Sequence, residues 1–352
     1  MCRRIFCKVL LVVIVTFAVL FLSGILSAQG NSGNAFERVK EVQEKHTNRL
    51  MAIKGVVGTA IGVDTEDKPN IKVFVEEAGV AGIPKKLDEV PVEVVVTGKI
   101  YALPKPEGKP GGKPSAPRID PTARFTRPVP IGVSTGNEGE ISSGTIGCRV
   151  KDSSGKVYAL SNNHVYALEN KAPIDSKVLQ PGRYDTAGYV YNPDNVIGTL
   201  SAFVPINFDG SDNTVDAAIA LSSTANLGNA TPSNGYGKPK SAWAIGGGGT
   251  MVQKYGRTTA LTKGFIYAMN GTLNVGYSSG TARFVDQICV YSSKGAFIKA
   301  GDSGSLLVTD ADLDLGNIPV GLLFAGNSSG KYAFANQIDL VLDAFGVSVD
   351  GE

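Results

Sequence analysis

The chain reads as a mainly β protein, two β-barrels preceded by a small α/β unit. Three observations predict this. First, 43 glycines among 352 residues, with 43% apolar and 19% charged residues, describe a folded, turn-rich chain. Second, from Ile131 onward short β-branched runs alternate with clusters of Gly, Asn, Asp and Ser, and no amphipathic helix precedes the last dozen residues. Third, that stretch of about 220 residues is large for one small barrel and comfortable for two. A net charge of +2 with scattered Lys and Arg lacks the basic stripe of a nucleic-acid binder, so nucleic acid is not expected as a partner.

Arg3, Arg4 and Lys8 precede an apolar run from Val9 to Leu22, followed by small residues up to Ala28. This is the order of an export signal, residues 1–28, which predicts an extracytoplasmic protein, secreted or periplasmic. The run is also about as long as a membrane span, so an uncleaved anchor is the alternative, and the membrane is a partner only in that case. Cys2 and Cys7 lie before the run. Cys148 and Cys289 remain, either paired or as two separately buried thiols.

Residues 35–103 predict the small α/β unit, propeptide-like in character. Phe36, Val39, Val42, Leu50 and Ile53 recur at helical spacing, and His46 falls in that pattern as a half-buried helix residue. Val56–Val63 and Ile71–Val75, separated by the turn-formers of 64–70, form a hairpin. A short helical piece around Lys85–Leu87 and the β-branched run Val90–Val96 complete the unit. Eight prolines between residues 104 and 130, interleaved with Lys and Gly, predict an extended, accessible linker in which Lys109, Lys113, Arg118 and Arg124 invite nicking. The first barrel then covers 131–240, and the second barrel with a C-terminal helix covers 241–352.

The chemistry centres on Gly301-Asp302-Ser303-Gly304. Flanking glycines allow a tight turn in which the N–H groups of Gly301 and Ser303 converge as an oxyanion hole while the serine side chain projects. The same four residues could equally make an ordinary surface turn. A serine hydroxyl needs a neighbouring base, and His164, which closes the run Val157–Ser161, is the one histidine after residue 53. Asp216 heads the apolar run of 217–220, where a carboxylate is costly to bury without a partner.

The order His164, Asp216, Ser303, with its Asn-His-Val, Asp-Ala-Ala-Ile and Gly-Asp-Ser-Gly-Ser segments, resembles the trypsin-like serine peptidases of chymotrypsin fold. The resemblance runs from Ile131 to the C-terminus. Val178-Leu179-Gln180-Pro181-Gly182, Tyr255-Gly256-Arg257-Thr258-Thr259 and Gly321-Leu322-Leu323-Phe324-Ala325-Gly326 further resemble a bacterial group similar to the plant narrow-leaf protease. It implies that Ser303 is the nucleophile, His164 the general base and Asp216 the carboxylate that orients the base. In trypsin-like zymogens the residue matching Asp302 pairs with a newly freed N-terminus, and here no typical activation sequence precedes Ile131. Phe297 and Ile298 match the primary pocket, which lacks an acid at its base, so an apolar side chain suits it better than Lys or Arg. Phe324, Ala325 and Gly326 match the strand that pairs with substrate backbone, with Phe324 bulkier than the family's usual residue.

No cofactor is implied. Asp310, Asp312 and Asp314 do not make a calcium loop, because Leu315 stands where such a loop needs Gly and Gly321 where it needs Glu. Gly246–Gly249 lack the Lys-Ser or Lys-Thr of a phosphate loop. Two function classes follow. One is an exported serine endopeptidase acting on protein or peptide substrates, self-processing at the linker, with its N-terminal unit as intramolecular inhibitor or chaperone. The other is a binding or scaffolding protein of protease fold with a blocked cleft.

Overall fold

The computed structural model describes residues 35–102, 119–310 and 316–352. The export signal, most of the linker with Lys109, Lys113 and Arg118, and Asp312 and Asp314 lie outside these residues. Among the described residues no helix is long and apolar enough to cross a membrane.

The architecture is mainly β and of the double-barrel class that the sequence predicts. Helix α1 occupies 35–51. Strands β1 (Val56–Val63), β2 (Pro69–Val75), β3 (Lys86–Leu87), β4 (Val90–Val96) and β5 (Ile100–Tyr101) follow it. Then come β6 (Ser134–Asn137), β7 (Gly144–Thr145), β8 (Cys148–Asp152), β9 (Val157–Ser161), the single-turn helix α2 (Asn163–Tyr166), β10 (Lys177–Leu179), β11 (Val196–Phe203), β12 (Asp212–Asn213) and β13 (Ala218–Ser222). The last third holds β14 (Met251–Gly256), β15 (Ala260–Tyr277), β16 (Gly280–Tyr291), β17 (Leu306–Thr309), β18 (Pro319–Asn327), β19 (Tyr332–Gln337), helix α3 (Ile338–Phe345) and β20 (Val347–Val349).

The first barrel is an eight-stranded sheet in the order β20-β8-β9-β13-β11-β10-β6-β7. Its edge strand β20 follows the last strands of the second sheet in sequence and pairs antiparallel with β8, so the end of the described chain returns to the first barrel. Residues 119–130, expected as open linker, are docked on this barrel. Gln180 accepts from the Phe125 N–H and donates to the Ala123 carbonyl, and Val129 bridges to Leu227. Prolines remove donors without preventing such docking, because their carbonyls and the intervening N–H groups stay free to bond.

The second sheet runs β12-β16-β19-β18-β17-β14-β15-β1-β2-β4-β3. Residues 35–102 therefore continue the sheet of the second barrel, with β1 antiparallel to β15 and Gly58 opposite Leu273. The faces of β1 explain its largely apolar run, broken only by the buried Thr59. Val56 and Ile61 pack with Val39, Val42 and Leu50 of α1, whereas Val57 and Ala60 pack with Leu273, Phe284 and Phe324 of the barrel. A strand covered on both faces has no polar side to show. The expected helical piece at Lys85–Leu87 is instead β3, which pairs with β4. His46 is half-buried on α1, 3.1 Å from Asp88. Cys148 and Cys289 are separate buried thiols in different cores, and burial pushes Cys148 up to about 12.

Candidate active site

His164 is placed by the end of β9. Asn162 is extended, α2 makes one turn, and the His164 N–H, which has no partner within so short a helix, donates to Asp216 Oδ1 at 3.2 Å. The imidazole Nδ1 meets Asp216 Oδ2 at 2.6 Å. Asn162 Nδ2 donates to the Asp216 carbonyl at 2.7 Å, and the Asp216 N–H donates to Asn336 Oδ1 at 3.0 Å. Two segments distant in sequence thus fix Asp216, with Asn162 and Asn336 holding its main chain and His164 its carboxylate. Asp216 has no exposed surface and lies between the buried Val215 and Ala217.

Ser303 stands on the turn between β16 and β17, and its loop is tied to the first barrel. Thr145 donates its N–H to the Ser303 carbonyl and its hydroxyl to the Gly301 carbonyl, each at 2.8 Å. Gly301 and Gly304 take φ of +94° and +92°, and a Cβ at Gly304 would come within 2.4 Å of the Thr145 carbonyl oxygen. Only glycine satisfies both the left-handed backbone and this approach. The N–H groups of Gly301 and Ser303 donate to no protein acceptor among the described residues, as a preformed oxyanion hole requires. Ser303 Oγ and His164 Nε2 are both buried without a hydrogen-bond partner. They are not bonded to each other here, and such contacts commonly tighten only when substrate arrives.

Asp302 points the opposite way, into a cradle built from the Tyr255–Thr259 segment. Its Oδ1 accepts from the N–H groups of Thr258 (2.8 Å) and Thr259 (3.1 Å). Its Oδ2 accepts from the Thr259 hydroxyl (2.7 Å) and the Lys299 N–H (2.9 Å). Lys254 Nζ lies 3.3 Å from Oδ2, and neither side chain has exposed surface. Burial pulls the Lys254 ammonium below its ordinary value, with Asp302 opposing that fall. A Cβ at Gly256 would come within 2.5 Å of Asp302 Oδ1, so glycine is needed beside the carboxylate. An internal lysine thus stands beside the carboxylate for which the sequence offered no typical activation segment.

The remaining expected site residues are closed off. Phe297 and Ile298 lie in a core with Val252, Ile266 and Val290, and Phe324 packs 4.7 Å from the Phe284 ring. Ala325 and Gly326 are buried on β18, where Gly326 pairs antiparallel with Tyr101 of β5. Strand β5 also pairs parallel with Val275 and Gly276 of β15, so it lies wedged between β15 and β18. Ser303 retains 2% of its surface. Among the described residues no cluster of His, Cys, Asp and Glu suits a metal ion.

Sequence reasoning missed Lys254, Tyr277 and Glu169. The Tyr277 hydroxyl donates to Asp216 Oδ2 at 2.9 Å, and Glu169 accepts from the N–H groups of Ser278 and Ser279. None of the three announces itself locally, and Lys254 stands between Gln253 and Tyr255 as one more side chain of β14.

The family described as Nal1 C-terminal domain matches residues 189–347, less than half of the chain. No curated protein matches by sequence. Among solved structures, the chain is similar to a glutamic acid specific serine protease described as using a novel histidine triad in substrate binding. That pair shows 21% identity over 63% of this chain and 100% of that one, with a TM-score of 0.44. Thermobifida fusca Protease A shows 18% identity over 64% and 99%, TM-score 0.45. Cellulomonas bogoriensis chymotrypsin shows 22% over 64% and 99%, TM-score 0.42.

Proposed function

We propose that the chain is an exported serine endopeptidase in which Ser303, His164 and Asp216 act together. The observation that carries this reading is the junction of three features: a 2.6 Å His164–Asp216 contact, an unbonded Nε2, and an unbonded serine hydroxyl beside two idle backbone donors. Ser303 Oγ attacks the scissile carbonyl as His164 Nε2 takes its proton. The Gly301 and Ser303 N–H groups receive the negative charge on the carbonyl oxygen. Collapse expels the amine, which takes the proton back from His164 and leaves an acyl-enzyme for water to hydrolyse. Asp216 holds the imidazole so that Nε2 faces the serine. The order of the first residues supports export, and the Nal1 match supports the bacterial group similar to the narrow-leaf protease.

The N-terminal unit fits the role of intramolecular inhibitor. The resemblance gives the strand at Phe324–Gly326 to substrate backbone, and Tyr101 already pairs there. A substrate strand adding to that edge would compete with β5. The same closure, with Phe297, Ile298 and Phe324 fully buried, is what favours the second reading, a binding protein of protease fold.

A fluorophosphonate probe with intact-mass readout, on wild type and Ser303→Ala, separates the two. One adduct in wild type and none in the variant is expected, and loss of the N-terminal unit only in wild type would add self-processing. No adduct in either intact or linker-cleaved protein would overturn the peptidase reading.

A further inference from the structure

Strands β15 and β16 form a long hairpin whose tip, Ser278–Ser279, is set down on the loop that follows α2. Glu169 on that loop accepts the Ser278 and Ser279 N–H groups at 3.0 and 2.8 Å. Lower on the hairpin, β16 pairs parallel with β12, just ahead of Asp216, and Arg283 meets Asp212 at 2.9 Å. On the other edge β5 pairs with Val275 and Gly276. The residue these three attachments hold in place is Tyr277. Its ring lies edge-on to His164 at 5.9 Å and packs against Phe208 and Phe284.

We infer that Tyr277 is a positioning residue of the active site, its hydroxyl fixing the Asp216 carboxylate with Oδ2 turned to the His164 imidazole. The inference rests on the peptidase reading of the site and adds a residue to it. The acceptor pattern is the reason. Oδ1 takes only the His164 backbone N–H, at a long 3.2 Å, whereas Oδ2 takes both the imidazole and the phenol. Among the described residues no lysine or arginine forms an ion pair with Asp216, so the phenol is the one side-chain donor besides the imidazole that holds the buried carboxylate. Burial first, and the Asp216 charge next, push the Tyr277 phenol well above its ordinary range, so it stays a donor at every working pH. The donor also draws charge from Oδ2, which moderates how strongly Asp216 holds a proton on His164.

The test is Tyr277→Phe, which keeps the ring and its packing. The chain has two histidines, so the His164 ring can be titrated by NMR, with His164→Gln assigning the signal. The groups facing the imidazole are Asp216 from the loop before β13, Tyr277 from β15 and, beyond Tyr277, Glu169 from the loop after α2. Removing the phenol donor leaves more charge on Oδ2, so the His164 midpoint should rise by roughly half a unit. Turnover should fall about tenfold with KM little changed, the size of one hydrogen bond to a charged group. In an Asp216→Asn background the same exchange should leave the midpoint where it was, whereas a merely structural role would move both backgrounds alike. Coincident midpoints for wild type and Tyr277→Phe would overturn the inference. If wild type takes no fluorophosphonate, the peptidase reading falls, while the titration still decides whether Tyr277 governs Asp216.

Discussion

Asp216 and Asp302 are two carboxylates of one site, both without exposed surface, and the protein treats them in opposite ways. Asp302 has both oxygens saturated by four donors and a lysine 3.3 Å away. Asp216 has no permanent cation beside it. It meets a histidine, which carries charge only when protonated, and a phenol. A buried charge must be paired or hydrogen-bonded, and these are two solutions to that demand. The locked pair ties the serine loop to Thr258 and Thr259 through bonds to both of its oxygens. In the proposed reaction the unlocked one meets a full positive charge only when His164 becomes an imidazolium.

The isosteric exchange to asparagine should therefore separate the two positions. Asp216→Asn should cost about four orders of magnitude in turnover, because Asn can hold the wrong imidazole tautomer, while leaving the protein folded. Asp302→Asn strands Lys254 in the interior and should cost stability, about 3–5 kcal/mol as for other broken buried pairs. Urea unfolding and turnover measured side by side check both. Comparable stability losses at the two positions would erase the contrast.

Lys254→Met attacks the locked pair from its other end and should destabilise by a similar 3–5 kcal/mol, because Asp302 then remains buried without its cation. The double variant Lys254→Met with Asp302→Asn should recover part of that loss, since neighbours of this kind are not additive. Equal losses in the single and double variants would show that the hydrogen bonds from Thr258, Thr259 and Lys299 hold Asp302 without the lysine.

The contrast also explains what the sequence made legible. His164, Asp216 and Ser303 each announce themselves locally, through a strand end, an acid heading an apolar run and a glycine-flanked turn. The partners that decide their behaviour do not. Lys254 is 48 residues from Asp302, and Tyr277 is 61 residues from Asp216, in strands where either could be one more alternating side chain. The double-barrel class was readable from short β runs and turn clusters. The extension of the second sheet by β1 and β2 was not, because an apolar run covered on both faces reads the same in a separate unit as in a shared sheet. Strand β5 is two residues long and carries no pattern at all.

The same β5 yields the smallest of these effects and the one that most sharpens the comparison, since its partner strand β15 ends in Tyr277. Tyr101→Pro removes one donor and restricts φ in a segment that pairs on both of its edges. Loosening β5 should open the β18 edge at Gly326 to a substrate or probe, raising the rate of fluorophosphonate labelling several-fold, on the order of 1 kcal/mol for a lost ladder bond. Asp302 and its lysine make none of their bonds to β5, so the stability of that pair should not follow. Faster labelling with an unchanged unfolding midpoint would place β5 as a cover over the responsive half of the site alone. An unchanged labelling rate would mean that entry is set elsewhere, where Phe297 and Ile298 are buried in one core and Phe324 in another.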